Sequence, residues 1–506
     1  MKHIHYIYTL FFGVSALLFF GLAYPHHLHY QEQYQLFLFD SSYMWDVIAL
    51  PGGVADLLGR FSTQFFLYAW VGATIIAILL SVIQLLTLGL ANWGRFYGLS
   101  YVPAFLLWIF LLDENALLGG VWALVLTLSA SLAIDKMADG WTRRILTAML
   151  IPLLFWIAGP VSIVFCILQI RRANHFIWNI ATMLLFVLMP LVLAHCLPVL
   201  DGSLWRGIHY YRYPTVIPTM LWMAVLALVI LLGVQGVKGV KGVKDECTCR
   251  YKSHTPNDIL LTFASFAVVA VVMAVMVWKN SNFKAEKTMK YDFMACHQQW
   301  NRILNTIDEE KPNNQIGVTV QNLALAKQGT LLNKMFEYNQ NGMLGLLPDV
   351  QRDATSPMPT AEAYYHLGLT NIAQRTVFEA QEAILDFQKS ARCFKRLAQT
   401  NLINGDYEVA RKYLMILKKT LFYSDWANET ITLLGNEKAI ANHPEYGTLR
   451  TFAIKNDFLF SDNATPEILE RLYLSNKKNK LAYQYMMASF ILTGDRESFY
   501  KYAQNK

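Results

Sequence analysis

Residues 145–170 read ILTAMLIPLLFWIAGPVSIVFCILQI, an apolar run that contains the dipeptide Gly159-Pro160. A helix that crosses a bilayer needs about 20 predominantly apolar residues. The run is therefore long enough for one span or for two short helices. Glycine loosens a helix and proline removes a backbone donor, so this dipeptide is the natural point for a break. The choice between one span and two decides on which side of the membrane every later loop lies.

Apolar runs of the same character lie on both sides of this one. With a break at Gly159-Pro160 there are nine segments: Tyr6–Tyr24, Gln64–Leu90, Tyr97–Leu112, Leu117–Ile134, Ile145–Ala158, Val161–Ile170, Ile177–Leu197, Val216–Val234 and Ile259–Trp278. Hydrophobic residues make up 55% of the 506 residues and charged residues 16%, but the charges concentrate after Trp278. The composition therefore combines a membrane-embedded part with a water-soluble part.

The distribution of Lys and Arg favours the break. Cytoplasmic loops of membrane proteins carry an excess of these residues. With nine segments and a cytoplasmic amino terminus, the opposite loops carry only Arg60, Arg206 and Arg212, and the remaining basic residues of the loops fall inside: Arg95, Lys136, Arg143, Arg144, Arg171, Arg172, Lys238, Lys241, Lys244, Arg250 and Lys252. We therefore predict a multi-pass membrane protein with a cytoplasmic amino terminus and a C-terminal domain on the opposite side of the membrane. The net charge of +7 reflects this topology, and no nucleic-acid partner is expected.

After Trp278 the hydrophobic pattern becomes that of amphipathic helices. One unit has apolar residues on both sides of a Gly-Asp turn, at the spacing of a tetratricopeptide (TPR) helix pair: Phe394, Leu397, Ala398, Gly405-Asp406, Ala410, Leu414 and Leu417. The spacing recurs around Gly494-Asp495, and Gln321–Tyr338 and Ala361–Leu385 are predicted to be helical. The predicted fold is all-α, with a polytopic transmembrane domain over residues 1–278 and a TPR-like repeat domain over 279–506. Its concave face would bind a peptide or protein.

Carboxylates occur in two of the loops predicted to face outward. The first loop, Pro25–Thr63, contains Glu32 together with Asp40, Asp46, Asp56 and the turn Leu50-Pro51-Gly52-Gly53. The second contains Asp113 and Glu114. A carboxylate at a membrane boundary can act as a general base, bind a divalent cation that steadies a phosphate, or remain solvated. For any one of these residues alone, solvation is the favoured interpretation.

A third outward loop, Asp201–Pro214, combines arginines with aromatic residues. Arginine matches the geometry of phosphate oxygens, and aromatic side chains suit both lipid headgroups and sugar faces. An interfacial aromatic belt with snorkelling arginines is the alternative. We favour Arg212 as the contact for a donor phosphate, with Arg206 and Tyr211 beside it.

The order of these features resembles polytopic GT-C-type glycosyltransferases over roughly residues 1–200. In that family the fifth segment is similar to Arg143-Arg144…Phe155-Trp156-Ile157-Ala158-Gly159-Pro160, although Lys commonly stands where this chain has Ala158. The resemblance implies a lipid-phosphate-linked sugar donor. It further implies roles for four groups of residues: Glu32 as the catalytic acid of the first loop, Asp113 or Glu114 as the second acidic motif, Glu32 and Asp113 as ligands of Mg²⁺ or Mn²⁺, and Arg212, Arg206 and Tyr211 as donor contacts.

The whole layout also resembles an uncharacterised family of multipass proteins from Bacteroides-type bacteria, through Leu50-Pro-Gly-Gly53 and Tyr365-His-Leu-Gly368. That resemblance implies a bacterial inner (cytoplasmic) membrane, with the C-terminal domain in the periplasm, but no activity. The leading hypothesis is an enzyme that moves a sugar or glycan from a polyprenyl-phosphate carrier to an extracytoplasmic acceptor. Its most specific form is protein O-glycosylation, in which the repeat domain binds the acceptor protein. A membrane-anchored, non-enzymatic TPR scaffold is the alternative, and a flippase of lipid-linked intermediates is a third.

Overall fold

The computed structural model describes residues 4–91, 93–138, 140–172, 176–200, 202–240, 256–349, 356–385, 388–454 and 465–504. The chain divides into two compact units. Unit 1 comprises residues 1–32 and 40–282, and unit 2 comprises residues 33–39 and 283–506. Most of the strongly basic loop between the last two apolar segments, including Lys241, Lys244, Arg250 and Lys252, lies outside the described residues.

Unit 1 is built from apolar helices. Among the described residues, six helical stretches are long and apolar enough to cross a membrane, one of them Trp141–Ile170, which contains the Gly159-Pro160 dipeptide. Two shorter apolar helices cover Tyr97–Phe110 and Thr219–Gly233. The predictions of an all-α chain and of a membrane-embedded part are confirmed for the described residues, whereas the number and orientation of the spans remain predictions. The α-helices of unit 1 are α1 Ile4–Leu18, α2 Pro25–Glu32, α3 Ser41–Ile48, α4 Gly53–Thr63, α5 Ala69–Gly89, α6 Val102–Phe110, α7 Leu118–Asp135, α8 Trp141–Ala158, α9 Ile163–Arg172, α10 Phe176–Cys196, α11 Ser203–Arg206, α12 Thr219–Val240 and α13 Pro256–Asn280.

The chain reverses direction at Gly159-Pro160. Helix α8 ends at Ala158, and a 3₁₀ turn over Gly159–Ser162 leads into α9. Near the far ends of the two helices, Arg143 donates a 3.1 Å hydrogen bond to the side-chain oxygen of Gln169. A continuous helix rising 1.5 Å per residue would separate these two residues by roughly 39 Å. The predicted break is therefore present, and α9 packs against α7, α10 and α12.

The first predicted outward loop, Pro25–Thr63, is largely helical, which the sequence pattern did not indicate. Its last helix, α4, packs along α7, and the two backbones touch at a pair of glycines. A Cβ atom at Gly59 would lie 2.6 Å from the backbone nitrogen of Gly119. Because real Cβ atoms do not approach that closely, this contact requires glycine. The close approach fixes α4, and with it the polar residues on its buried face.

Unit 2 contains successive helix pairs. The α18–α19, α20–α21 and α26–α27 pairs each turn at a glycine in the left-handed region, with φ of +94°, +92° and +75°. The predicted turns at Gly405 and Gly494 are confirmed. The helices of unit 2 are α14 Phe283–Cys296, α15 Trp300–Glu310, α16 Gln315–Lys327, α17 Leu331–Lys334, α18 Pro357–Leu367, α19 Thr370–Glu382, α20 Ala391–Asn404, α21 Tyr407–Leu417, α22 Ser424–Ile431, α23 Glu437–Asn442, α24 Tyr446–Phe452, α25 Thr465–Ser475, α26 Lys480–Thr493 and α27 Arg496–Ala503.

The two other stretches of unit 2 that the sequence predicts to be helical contain helices, and each has one interruption. The stretch 321–338 is interrupted after Lys327, where Gly329 has a φ of +74°. The stretch 361–385 is divided at Gly368, which caps α18 before α19 begins. In both cases a glycine takes up the left-handed conformation that ends a helix, and the remaining apolar pattern resumes one turn later.

We expect Gly59→Ala to destabilise unit 1 by about 1–3 kcal/mol, because the added methyl group would force α4 and α7 apart. Gly233→Ala is the matched control, since a Cβ atom there meets no neighbour within 4 Å. Thermal unfolding of the full-length chain in detergent checks both. Equal melting temperatures for the two variants would contradict the packing of α4 on α7.

Candidate functional site

Two loops that are distant in the sequence pair with each other in unit 1. Residues 111–117 and 209–213, here called the loop pair, are joined by an antiparallel bridge between Ala116 and Tyr211. The backbone N–H of Arg212 donates to the carbonyl of Asn115 at 2.9 Å, and that of Leu117 donates to the carbonyl of Tyr210 at 3.2 Å. The loop pair therefore brings together the second and third candidate loops of the sequence.

The predicted acids of the second loop lie in the loop pair. Asp113 accepts hydrogen bonds from the backbone and side chain of Asn115 on one oxygen, and from the Tyr211 hydroxyl at 2.8 Å on the other. Burial and the bond to Asp113 raise the pKa of Tyr211, so the phenol keeps its proton and donates. Burial also raises the pKa of Glu114, as does the neighbouring Asp113 charge, while Arg212 opposes the increase. Glu114 therefore holds a proton more readily than a solvated glutamate.

Of the two predicted arginines, Arg212 belongs to the loop pair. It is 7% exposed, and its Nη1 donates to the hydroxyl of Tyr30 at 3.4 Å. Its guanidinium carbon lies 5.7 Å from the centre of the Tyr213 ring. Arg206 lies at the end of α11, where its Nη1 donates to the carbonyl of Thr215. The predicted donor contacts thus separate into Tyr211 and Arg212 within the loop pair and Arg206 outside it.

Helix α2, which ends in the predicted catalytic residue Glu32, docks on the loop pair. His27 contacts the carbonyl of Leu111 at 3.1 Å, and Gln31 donates to the carbonyls of Asp113 and Ala116, both at 3.2 Å. Burial lowers the pKa of His27 to about 4, with the Leu111 carbonyl opposing the shift, so the ring is neutral. Glu32 itself is 6% exposed. The solvated-acid alternative therefore does not hold for Glu32.

A second polar group, which the sequence did not single out, lies between α4 and the third loop. Arg60 binds the Oδ2 atom of Asp56 through Nε and Nη2, both at 2.8 Å, one turn along the same helix. The Nδ1 atom of His209 lies 3.3 Å from the same oxygen. Asp56 is fully buried and the other two residues are no more than 9% exposed. We call these three residues the buried triad.

The buried triad leaves three polar atoms without hydrogen-bond partners among the described residues. These are Oδ1 of Asp56 and both ring nitrogens of His209, Nδ1 and Nε2. Burial lowers the pKa of His209, while the Asp56 charge raises it, and the net shift is downward. A neutral imidazole has one ring nitrogen that can accept a proton, so His209, with Nδ1 3.3 Å from the Asp56 carboxylate, has the chemistry of a general base.

The sequence contained weak signals for the buried triad. Asp56 appears among the acids of the first loop, Arg60 among the outward charges, and His209 within the aromatic stretch before Arg212. The spacing of Asp56 and Arg60 places both on one face of a helix. Nothing in the pattern indicated that residues 53–63 are helical and buried.

The two turns that the sequence singled out meet each other. The N–H of Gly52 donates to the carbonyl of Trp156 at 2.7 Å, and the Trp156 indole donates to the carbonyl of Ile48 at 3.0 Å. Tyr210 donates its hydroxyl proton to the carbonyl of Ala158 and accepts the N–H of Val161 at 3.3 Å. The Leu-Pro-Gly-Gly turn and the aromatic loop therefore both dock at the Gly-Pro reversal.

The divalent cation expected at Glu32 and Asp113 remains a prediction. Both oxygens of Asp113 already accept hydrogen bonds from protein groups. In the part of the chain that the structure describes, no group of three or more His, Cys, Asp or Glu side chains is arranged to hold a metal ion. We derive no step through a metal.

We expect Asp56→Asn to lower the free energy of unfolding by about 3–5 kcal/mol, because it leaves the Arg60 charge buried without an anionic partner. Adding Arg60→Met should recover most of that loss, since the double variant leaves no unpaired charge. Asp46→Asn, at an exposed position of α3, is the control and should change stability by less than about 0.5 kcal/mol. Denaturant titration in detergent measures all three variants. A double variant less stable than Asp56→Asn alone would refute the pairing.

Comparison with known proteins gives a family and no activity. No curated protein and no solved structure matches the chain. A scan of protein families matches residues 2–506, nearly the whole chain, to a family described as a family of unknown function, DUF6057. The chain is a member of the DUF6057 family.

Proposed function

We propose that this protein is a membrane glycosyltransferase that moves a sugar or glycan from a polyprenyl-phosphate-linked donor to an acceptor hydroxyl. One observation carries the proposal: residues 209–212 join a buried, neutral histidine to a buried arginine within a single short loop, beside two carboxyl groups. His209 belongs to the buried triad, and Arg212 contacts Tyr30 of α2 while Tyr211 contacts Asp113. Such a transfer needs a group that takes the proton of the acceptor hydroxyl and a cation that binds the donor phosphate. Histidine or carboxylate side chains can do the first, and arginine can do the second.

The reaction assigns a task to each group. The acceptor oxygen forms a bond to the anomeric carbon, the bond between that carbon and the donor phosphate oxygen breaks, and the polyprenyl phosphate leaves. The proton of the acceptor hydroxyl goes to a base, for which Nε2 of His209 and the carboxylate of Glu32 are the candidates. Arg212 offsets the charge that grows on the leaving phosphate. Glu114, with its raised pKa, can return a proton to that phosphate.

The proposal also covers the number and orientation of the membrane segments and the fold of unit 2. We take unit 1 to be GT-C-like with nine membrane segments and a cytoplasmic amino terminus, and unit 2 to be a periplasmic TPR-like domain. The helix pairs with glycine turns and the reversal at Gly159-Pro160 support this assignment. The departure at Ala158, where the GT-C pattern commonly has Lys, leaves Arg212 as the favoured phosphate contact.

The scaffold alternative has its own supporting observation. Asp113 makes three hydrogen bonds to its own chain, so this carboxylate is satisfied as a structural group. In that case the loop pair would only hold unit 1 together, and unit 2 would recruit partners without any chemistry.

We expect the variants His209→Gln and Glu32→Gln to distinguish the glycosyltransferase from the scaffold. Loss of a general base typically lowers a rate by 10²- to 10⁴-fold. The experiment uses a strain of the source bacterium that lacks the gene. Whichever of the two variants has lost the catalytic base should fail to restore extracytoplasmic glycans in this strain. The lipid-linked donor should then accumulate. Asp46→Asn, an exposed acid of the same first loop, is the control and should restore both.

Quantitative glycoproteomics and lipid-linked oligosaccharide profiling give the readout. Membrane extracts must contain equal amounts of each variant, so that a folding defect is not taken for a catalytic one. Full restoration by both His209→Gln and Glu32→Gln would sink the enzyme proposal and favour the scaffold.

A further inference from the structure

Residues 33–39, with the sequence QYQLFLF, lie on unit 2 although they follow α2 in the chain. We call them the cis segment. Two of its backbone N–H groups bond to unit 2, that of Leu36 to the carbonyl of Lys389 at 3.0 Å and that of Phe39 to the carbonyl of Lys419 at 2.7 Å. Residues 35–39 contain no helix or turn. This is how extended peptides are held: by main-chain hydrogen bonds, with side chains placed in pockets.

Side-chain burial along the cis segment is that of a bound peptide. Tyr34, Gln35, Leu36 and Phe37 are each between 3% and 7% exposed. Phe39 at the end of the segment is 49% exposed and lines a cavity of about 520 Å³. The other residues around this cavity are Met415, Lys418, Lys419, Thr420, Leu421 and Ser424. The groove therefore continues beyond the part that the cis segment fills.

At the Arg392 end of the groove, the charged side chains pair with one another and do not need the cis segment as a partner. Arg392 binds Asp292 through two hydrogen bonds of 2.6 and 2.8 Å and Glu362 through one of 3.2 Å. Glu362 also accepts a 2.6 Å hydrogen bond from Arg396. Burial raises the pKa of Glu362, but the two arginines outweigh it and lower the pKa to about 2. These charges remain paired whether or not a peptide is present.

The cis segment adds one neutral contact to this network, since Arg392 also donates to the side-chain oxygen of Gln33 at 3.3 Å. Departure of the cis segment would cost a neutral hydrogen bond there and leave no charge unpaired. At this end of the groove, exchange of one occupant for another therefore breaks no buried ion pair.

We propose that unit 2 carries a groove for an extended, aromatic-rich peptide, which the cis segment occupies until a partner peptide displaces it. The partner has a Gln or similar amide at the Arg392 end and bulky apolar residues at the positions of Tyr34, Leu36 and Phe37. It continues with an apolar residue and an acidic one into the cavity beside Lys418 and Lys419. The inference does not depend on the glycosyltransferase proposal, because it concerns binding by unit 2 alone.

Because the cis segment is part of the same chain as the groove, it competes for the groove better than a free peptide does. A tethered ligand is present at an effective concentration of order millimolar. A free peptide of the same sequence therefore competes poorly against the wild-type chain, and a productive partner must either bind more tightly or arrive as a longer segment that also fills the cavity.

The test uses the full-length chain in detergent and a fluorescein-labelled peptide of residues 33–40, QYQLFLFD, as the probe. The variant Leu36→Asp/Phe37→Asp places two charges at buried positions and should release the cis segment. We expect this variant to bind the probe at least 10-fold more tightly than the wild type by fluorescence anisotropy. Trp45→Asp, an apolar-to-acid change at a 70% exposed position, is the control and should bind like the wild type. A probe carrying the same two Asp substitutions should not bind.

A folded release variant that binds no probe would overturn the inference and make the cis segment a structural strap. Circular dichroism and size-exclusion elution establish whether it is folded. If it is not, hydrogen exchange of the wild-type chain decides. Millimolar unlabelled peptide should accelerate exchange at the amides of Leu36 and Phe39, and unchanged exchange at both would equally overturn the proposal.

Discussion

The hydroxyl of Tyr210 makes the contact on which the candidate site of unit 1 depends. It donates to the carbonyl of Ala158 and accepts the N–H of Val161, two backbone groups that the reversal at Gly159-Pro160 removes from helical hydrogen bonding. A helix that stops within apolar surroundings must have such groups paired, because each unpaired one costs several kcal/mol, roughly. One side chain therefore stabilises the reversal and fixes the loop that carries it.

The rest of the site follows from that anchored loop. With Tyr210 held, the residue before it can reach Asp56 and the two after it can pair with residues 113–116. The glycines on α4 and α7 bring Asp56 close to the same place, since a Cβ atom at Gly119 would lie 2.6 Å from the carbonyl oxygen of His209. The docking of Tyr210 at the Gly159-Pro160 reversal therefore positions both the buried triad and the loop pair.

Sequence periodicity could predict the membrane part, the reversal and the glycine-turned helix pairs, because long apolar runs, charge asymmetry and Gly-Asp turns are local signals. It could also place Asp113, Tyr211 and Arg212 in loops between apolar segments, whereas the side of the membrane that these loops face remains a prediction. It could not predict that Pro25–Thr63 folds into three helices, because that loop mixes polar and apolar residues without a clear period. For the same reason the burial of Asp56, Arg60 and His209 was not foreseen: the ion pair depends on α4 packing against α7. The positions of the interruptions at Gly329 and Gly368 were not predicted, because the helical apolar pattern continues after each one. The docking of residues 33–39 on unit 2 joins segments hundreds of residues apart, and no pattern within the chain reports such a contact.

The most direct measurement of the central claim is backbone hydrogen exchange in Tyr210→Phe, which removes only the hydroxyl. Our account predicts faster exchange at the amide of Val161, which loses its acceptor. It also predicts faster exchange at Leu117 and Arg212, whose N–H groups bond across the loop pair. Exchange in α5, which contains neither hydrogen-bond partner of this hydroxyl, serves as the internal reference and should not change. Exchange at Leu117 and Arg212 equal to that of the wild type would contradict the claim that Tyr210 holds the site together.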